Sequence, residues 1–474
     1  MITMTKIKFG TDGWRAIIAQ DYTVDNVARV ADATAKWVKT KFKDPSIVIG
    51  HDCRFGGELF TETAIKIFVS NGIKVYTTNK GFVSTPMISL ATRALKASLG
   101  VVITASHNPP SYNGYKLKGH FGGPLSPEEV DEIEKIIPEK NPVDLTLITI
   151  EKAEKNKLIE YHDFEQMYLD QVEKVFDLPL IKKANLGLAY DAMYGAGQNV
   201  LKRLMPEITF LHCDYNPSFK GQAPEPIDKN LQEFSNLIKN NSALKCGLAT
   251  DGDADRIGLY NSKGEFVDSH HIILLTIHYL VKYKGLRGKV VTGFSSTPRI
   301  KKLCTHYKLE HVEVPIGFKY IAALMADPKQ DVLLGGEESG GIALKTHIPE
   351  RDGIWMGLTI WEFMAKTGKS LEQLIDEVYA IVGPFAFERS DLQIEESQKQ
   401  RIIQECKSGA YSMFGKYRVQ STETMDGFKY IFDENRWLMI RPSGTEPVLR
   451  TYAEAPTLNE VRVMLDACKL TIKA

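Results

Sequence analysis

The sequence predicts an α/β fold: three successive α/β domains of similar topology with mixed or parallel sheets, then a smaller C-terminal α+β domain. Three observations carry this. A strand–turn–helix–strand pattern occurs three times, the stretch after Gly383-Pro384 departs from it, and 474 residues hold three or four domains of roughly 100–150 residues each.

The first pass runs from a β-rich stretch at 46–50 through a polar turn at 51–57 into a helix from Leu59 and a strand at 73–77. The second runs from 186–190 through the turn 191–197, a helix from Asn199 and a strand at 208–213. The third has a strand at 289–293, a turn at 295–298 and a strand at 311–314. Strand, turn, helix and strand at this spacing are the signature of βαβ units. Beyond Gly383-Pro384 come the stretch 385–389, a polar helix at 395–407, short strands near Arg418, 429–432 and 437–441, and an amphipathic helix at 458–472. Boundaries are expected at 1–150, 151–265, 266–380 and 381–474.

Composition narrows the function. Hydrophobic residues make up 43% and charged residues 25%, and the formal net charge is zero. Neither nucleic acid nor an anionic membrane is the expected partner, since both call for a basic excess. The six cysteines are scattered with no CxxC pair, as in a chain that keeps reduced thiols. No apolar run approaches the roughly 18 residues of a membrane span, and the N-terminal residues have no apolar signal core. A cytoplasmic location is expected.

Four loops and one N-terminal motif are able to carry chemistry. Ser106, in Thr104-Ala105-Ser106-His107-Asn108-Pro109-Pro110, emerges where the apolar strand 99–103 meets a loop, the edge of an α/β sheet where ligands gather. The two prolines stiffen its backbone. A serine hydroxyl needs a base, metal or positive field to act as nucleophile, and Lys116 is close enough in the chain for the loop to fold back and supply a proton acceptor or a charge. A turn capped by serine and asparagine accounts for the same residues, and for His107 a structural hydrogen bond weighs as much as proton transfer.

Thr250-Asp251-Gly252-Asp253-Ala254-Asp255-Arg256 places three carboxylates at alternate positions on a curled backbone, an all-oxygen set suited to Mg²⁺. Without a cation they would repel. An EF-hand is excluded, because Arg256 stands where its sixth-position glycine belongs and Ser262 where its bidentate glutamate belongs. The glycine-rich 335–341 loop follows the apolar 332–334 and offers Glu337, Glu338 and Ser339 to sugar hydroxyls, although an ordinary turn has this composition too. In Arg441-Pro442-Ser443-Gly444-Thr445-Glu446-Pro447 an arginine fork and an anion nest suit phosphate, with a plain turn as the alternative. Arg15, in Gly10-Thr11-Asp12-Gly13-Trp14-Arg15, is placed either to stabilise charge on a phosphoryl group or to close a salt bridge.

A nucleophile, a carboxylate cluster, a hydroxyl-binding loop and a phosphate loop fall one to each domain, in order. Phosphoryl transfer needs this set. Here a resemblance becomes specific. TASHNP, DGDADR, GEESG, RPSGTEP and GTDGWR resemble the phosphoserine, metal, sugar, phosphate and N-terminal motifs of the α-D-phosphohexomutase family, in the family's order along the whole chain.

The resemblance implies four domains around one central cleft and a phosphate carried on Ser106. It implies Mg²⁺ held by that serine's phosphate with Asp251, Asp253 and Asp255. Lys116 would be the general acid/base and Arg15 a catalytic arginine, with His107 and Arg256 lining the same centre. Gly317 and Lys319 would contact substrate, Glu337 and Ser339 the sugar hydroxyls, and Arg441, Ser443, Gly444 and Thr445 the non-transferring phosphate. The substrate would be a phosphosugar, a hexose 1,6-bisphosphate the intermediate and activator, and the enzyme a monomer or homodimer.

In sugar-loop pattern the chain is closest to phosphoglucomutases, through GEESG and the stretch 347–353 that contains His347 and Arg351; RPSGTEP is closer to phosphomannomutases and phosphoglucosamine mutases. Many relatives carry histidine where this chain has Gly341, so that contact is lost or passes to His347. Residues 51–54 also depart from the common Arg-Asp-x-x-Arg form. Glucose phosphate is expected first and mannose phosphate second, with phosphoglucosamine mutase and a metal-dependent phosphatase as alternatives. A Ser/His acyl hydrolase lacks its nucleophile elbow.

Overall fold

A computed structural model of the chain describes residues 6–442 and 448–473. It divides into two compact units, one of Met1–Val291 with Gly317–Ile375 and one of Thr292–Ile316 with Asp376–Ala474.

In the first unit a six-stranded sheet is built from β1 (Trp14–Ile17), β2 (Ser46–His51), β3 (Lys74–Thr77), β4 (Leu99–Ile103), β5 (Tyr112–Gly119) and β6 (Ile159–Tyr161), in the order β1-β5-β4-β2-β3-β6. Its centre is parallel, β4-β2-β3-β6, and β5 folds back antiparallel on β4. Every residue of β4 is buried, which is why that strand reads as an unbroken apolar run. The helix Val24–Lys41 packs Val27, Val30, Ala31 and Val38 into the core, and Thr23 caps it by accepting the Asn26 N–H.

A five-stranded sheet follows, from β7 (Leu188–Asp191), β8 (Thr209–Leu211), β9 (Cys246–Thr250), β10 (Ile257–Tyr260) and β11 (Phe266–Val267), in the order β11-β10-β9-β7-β8. It reproduces the plan of the first. β9-β7-β8 is parallel like β4-β2-β3, and β10 returns antiparallel on β9 as β5 does on β4. The helix expected from Asn199 is short, Val200–Leu204.

The third segment contains β12 (Lys289–Gly293), β13 (His311–Val314), β14 (Val332–Gly336) and β15 (Ile342–Leu344), with β14 and β15 again an antiparallel hairpin. The repeated plan thus gives three equivalent hairpin connections, β4–β5, β9–β10 and β14–β15. Ser106, the three aspartates and Glu337 with Ser339 sit on them in turn.

The second unit contains the C-terminal sheet. β16 (Ala386–Gln393), β19 (Ser421–Glu423), β20 (Phe428–Asp433), β21 (Arg436–Pro442) and β22 (Val448–Ala455) form an antiparallel sheet in the order β16-β22-β21-β20-β19. A small hairpin of β17 (Met413–Phe414) and β18 (Tyr417–Arg418) lies between β16 and β19 in the chain. Leu438, Ile440, Leu449 and Ala453 pack with Ile402, Val461 and Met464 of the helices Glu396–Ser408 and Leu458–Lys473. This is the expected α+β module.

Candidate active site

Ser106 is almost wholly buried and adopts a left-handed backbone conformation, φ 53°. Its N–H donates to Thr104 Oγ1 at 2.9 Å. Its Oγ donates to Asp251 Oδ2 at 2.7 Å and lies 3.1 Å from His107 Nδ1. Burial pushes the His107 pKa well down, and Arg256, Arg15 and Lys116 push it the same way. The imidazole beside the serine is therefore neutral at pH 7.

The β9–β10 loop meets the serine loop at close range. A Cβ on Gly252 would overlap the Ser106 carbonyl oxygen, so only glycine fits there. Asp251 Oδ1 accepts the N–H groups of Asp255 (2.9 Å) and Arg256 (3.0 Å), which curls the loop. One oxygen each from Asp251, Asp253 and Asp255 lies within 4.8 Å of the others. Burial pushes the Asp251 carboxyl well up, and Asp253 and Asp255 push it further. Asp253 goes the other way: burial would raise it, but Lys116 and the Thr85 hydroxyl hold it down. Asp253 Oδ1 and Asp255 Oδ1 are buried with no hydrogen-bond partner among the described residues. Orphaned, convergent carboxylate oxygens beside a serine oxygen fit a hard divalent cation.

Lys116 is not on a loop. It sits on β5 opposite Val102, so the hairpin rather than a folded-back loop delivers it. Its fully buried Nζ lies 2.8 Å from Asp253 Oδ2, 3.1 Å from Asp255 Oδ2 and 2.9 Å from Asp12 Oδ2. Burial would lower its pKa, but the three carboxylates raise it, so it holds a proton in this arrangement. Arg351 pairs with the same Asp12 and with Asp255 Oδ2 (2.7 Å), and Lys118 with Glu350 at 2.7 Å. Arg15 Nη1 donates to Asn108 Oδ1 at 2.6 Å, tying the N-terminal motif to the serine loop. Arg256 Nη1 lies 3.6 Å from Glu225.

The 335–341 loop is joined to the aspartate loop through the backbone. Arg256 bridges Gly341, Ile257 N donates to Gly340 O (3.1 Å), and Gly353 N donates to Ala254 O (3.0 Å). Glu337 accepts the Gly317 N–H at 3.1 Å, which brings that glycine to the 335–341 loop. Burial pushes the Glu337 carboxyl up to about 7 against the pull of Arg351. Ser339 is half-buried on the same turn. Lys319 lines a cavity of about 90 Å³ with Thr11 and Asp12.

One expectation needs correcting. His347 does not replace the missing histidine contact. Its Nε2 pairs with Asp352 Oδ2 at 3.0 Å and its ring stacks on Trp355, centroids 3.7 Å apart, so the ring belongs to the core. In the second unit, Arg441 donates from Nε and Nη2 to the Asp426 carboxylate at 3.0 and 3.2 Å, which orients the guanidinium at the end of β21. Ser443, Gly444 and Thr445 lie outside the described residues.

Sequence reasoning missed Asp12, Thr85, Lys118 and Glu350. Of these only Lys118 had a signal: it stands two residues from Lys116 on a strand, so the two face the same side.

Comparison with known proteins agrees with this geometry. Four descriptions of the phosphoglucomutase/phosphomannomutase family match in order: alpha/beta/alpha domain I over residues 6–143, domain II over 166–264, domain III over 268–382 and the C-terminal domain over 392–468. A phosphoglucomutase/phosphomannomutase of Thermococcus kodakarensis is 28% identical over 97% of this chain and 96% of its own. A phosphoglucosamine mutase of Methanococcus maripaludis is 32% identical over 86% and 87%. A crystal structure from Thermus thermophilus, assigned as a phosphomannomutase, superposes with a TM-score of 0.87 at 32% identity, covering 99% of this chain and 100% of that one. The chain belongs to the phosphoglucomutase/phosphomannomutase family.

Proposed function

We propose that the enzyme interconverts hexose 1-phosphate and hexose 6-phosphate, glucose first and mannose second, through a phosphoryl group carried on Ser106 and a hexose 1,6-bisphosphate intermediate. The observation that carries this reading is the 2.7 Å contact between Ser106 Oγ and Asp251, inside a buried cluster of three carboxylates and a lysine.

Ser106 gives its phosphoryl group to the free hydroxyl of the bound sugar phosphate. The resulting bisphosphate turns over in the site and returns its other phosphoryl group to Ser106. Mg²⁺ held by Asp251, Asp253, Asp255 and the oxygen carried on Ser106 would neutralise charge on the transferring group. Lys116, its proton held among Asp12, Asp253 and Asp255, gives that proton to Ser106 Oγ as it leaves and takes one from the attacking sugar hydroxyl, and the second half runs the same exchange in reverse. Arg15, steered by Asn108, adds positive charge on the same side. Glu337 and Ser339 are assigned to the sugar's O3 and O4, and since glucose and mannose differ at C2, both would fit such a grip. Arg441 with Ser443, Gly444 and Thr445 is assigned the non-transferring phosphate, as the family motif implies.

Relatives named phosphoglucosamine mutase, at 30 and 32% identity, support glucosamine phosphate as a second reading. Phosphorus NMR separates these. Protein with glucose 1-phosphate, Mg²⁺ and a trace of glucose 1,6-bisphosphate is expected to form glucose 6-phosphate and no free phosphate, with Ser106→Ala inactive. Repeating with the mannose and glucosamine phosphates ranks the substrates, and accumulation of free phosphate would make the protein a hydrolase.

A further inference from the structure

Asp52 and Arg54 leave the end of β2, and both side chains are fully buried. A buried guanidinium usually answers carboxylates. Arg54 has one, Asp52 Oδ2, 3.3 Å from Nε, and turns its other donors to backbone. Nη2 donates to the carbonyl oxygens of Ser106 (2.5 Å) and Asn108 (2.7 Å), and Nη1 to those of Pro109 (2.9 Å) and Tyr112 (3.1 Å). The first three lie on the connection between β4 and β5, and Tyr112 opens β5. The ring of Phe219, itself buried, covers the guanidinium at 5.0 Å and keeps water from competing.

The same pair reaches Ser106 from its other side. Asp52 Oδ2 accepts the Thr104 hydroxyl at 2.5 Å, and Thr104 Oγ1 accepts the Ser106 N–H at 2.9 Å. Asp52 Oδ1 is fixed in turn by the Arg54 N–H at 2.9 Å. Both hydrogen-bonding groups of the Ser106 backbone are therefore held by one buried ion pair, directly through Arg54 and through Thr104 from Asp52. That matters because Ser106 stands at a positive φ, where a residue with a side chain relaxes unless its surroundings hold it.

We propose that Arg54 is a positioning residue for phosphoryl transfer: it locks the Ser106 backbone so that Oγ stays opposite Asp251 in both the phosphorylated and the free serine. This rests on the reading of Ser106 as the phosphoryl carrier. When the phosphoryl group has left for the sugar, contacts made by its oxygens leave with it, and the backbone contacts remain. The lock is therefore needed most while the bisphosphate waits to return a phosphoryl group to the free serine. Lysine does not substitute, because one ammonium group lacks the planar fork that spans four carbonyls.

The test is steady-state kinetics of Arg54→Lys and Thr104→Val with Thr104→Ser as the conservative control, each checked by thermal unfolding. Arg54→Lys is expected to lower kcat about a hundredfold, the scale of an ångström misplacement, with KM within about threefold. It should also need about tenfold more added glucose 1,6-bisphosphate for half-maximal rate, because the intermediate escapes before Ser106 recaptures it. Thr104→Val should show the same pattern more weakly, and Thr104→Ser should restore it. If Arg54→Lys does not fold, the Thr104 pair decides alone. Unchanged kcat and bisphosphate requirement in the folded variants, or a loss confined to KM, would overturn the proposal. Absence of phosphate on Ser106 of the unaltered enzyme during turnover would instead overturn the carrier reading itself.

Discussion

Gly341 leaves the space that Arg351 fills: a Cβ at that position would overlap Arg351 Cδ. Gly341 is absent from the positive-φ positions, so the demand is for room and not for backbone freedom. Through that room the Arg351 guanidinium passes over the Phe318 ring, 5.2 Å away, to Asp12 and Asp255. A histidine at this position would expel it. Gly341→His is expected to lower kcat/KM about a hundredfold by displacing these contacts. Wild-type kinetics in that variant would show that Arg351 is dispensable where it now sits.

Lys116 is the cation that Asp12, Asp253 and Asp255 share. Replacing it with methionine leaves buried carboxylates facing an apolar chain, a change that costs about 3–5 kcal/mol where a buried pair is broken. Lys116→Met should therefore unfold at lower temperature, and added Mg²⁺ should raise its Tm by more than it raises that of the unaltered protein. Its kcat should fall about 10³-fold with loss of the proton donor. Equal Mg²⁺ responses in the two proteins would separate Lys116 from the carboxylate site.

Glu337 gives the site a pH signature. Its carboxyl is raised by burial from 4.5 to about 7, so the folded protein holds a proton there that the unfolded chain has released. This group's contribution to stability therefore falls as pH rises from about 4.5 to 7. Function runs the opposite way, since the ionised carboxylate is the better acceptor for sugar hydroxyls. KM should fall as pH rises through about 7, and Glu337→Gln should abolish that step while keeping the one from the substrate phosphate near about pH 6. A KM profile unchanged in the glutamine variant would remove Glu337 from substrate binding.

His347 should behave as a core residue. His347→Leu loses the stack on Trp355, worth about 0.5–1.5 kcal/mol, and leaves Asp352 with the Tyr168 hydroxyl as its remaining side-chain partner among the described contacts. Tm should drop by several degrees with KM changed less than about twofold. A tenfold higher KM at unchanged Tm would return His347 to the sugar site.

Ser106, Asp251, Asp253 and Asp255 were legible because their chemistry is local. Serine with two prolines, and carboxylates at alternate positions around small residues, announce their geometry within a few residues of chain. The strand–turn–helix–strand echo was legible for the same reason, through β2, β7 and β12. Its consequence, that each active loop occupies the same hairpin connection, was not, since loops 104–111, 251–256 and 337–341 are longer than the two-residue turns that mark a hairpin in sequence. Lys118, Glu350 and Asp12 were missed because their meaning lies in one another: Glu350 is far along the chain from Lys118, and only the fold brings their charges to 2.7 Å. His347 was over-read because a histidine near a ligand loop looks the same in sequence whether its ring faces substrate or a tryptophan.

The central claim is that Ser106 carries the phosphoryl group, and the most direct test is a single-turnover chase. Protein phosphorylated with ³²P-labelled glucose 1,6-bisphosphate, freed of sugar, is mixed with excess unlabelled glucose 1-phosphate and Mg²⁺, and label is followed in the Ser106 peptide and in the sugars. Label is expected to begin on Ser106 and to move to hexose bisphosphate and then hexose monophosphate, with none released as inorganic phosphate. Label on a different residue, or its release as inorganic phosphate at the rate of turnover, would contradict it.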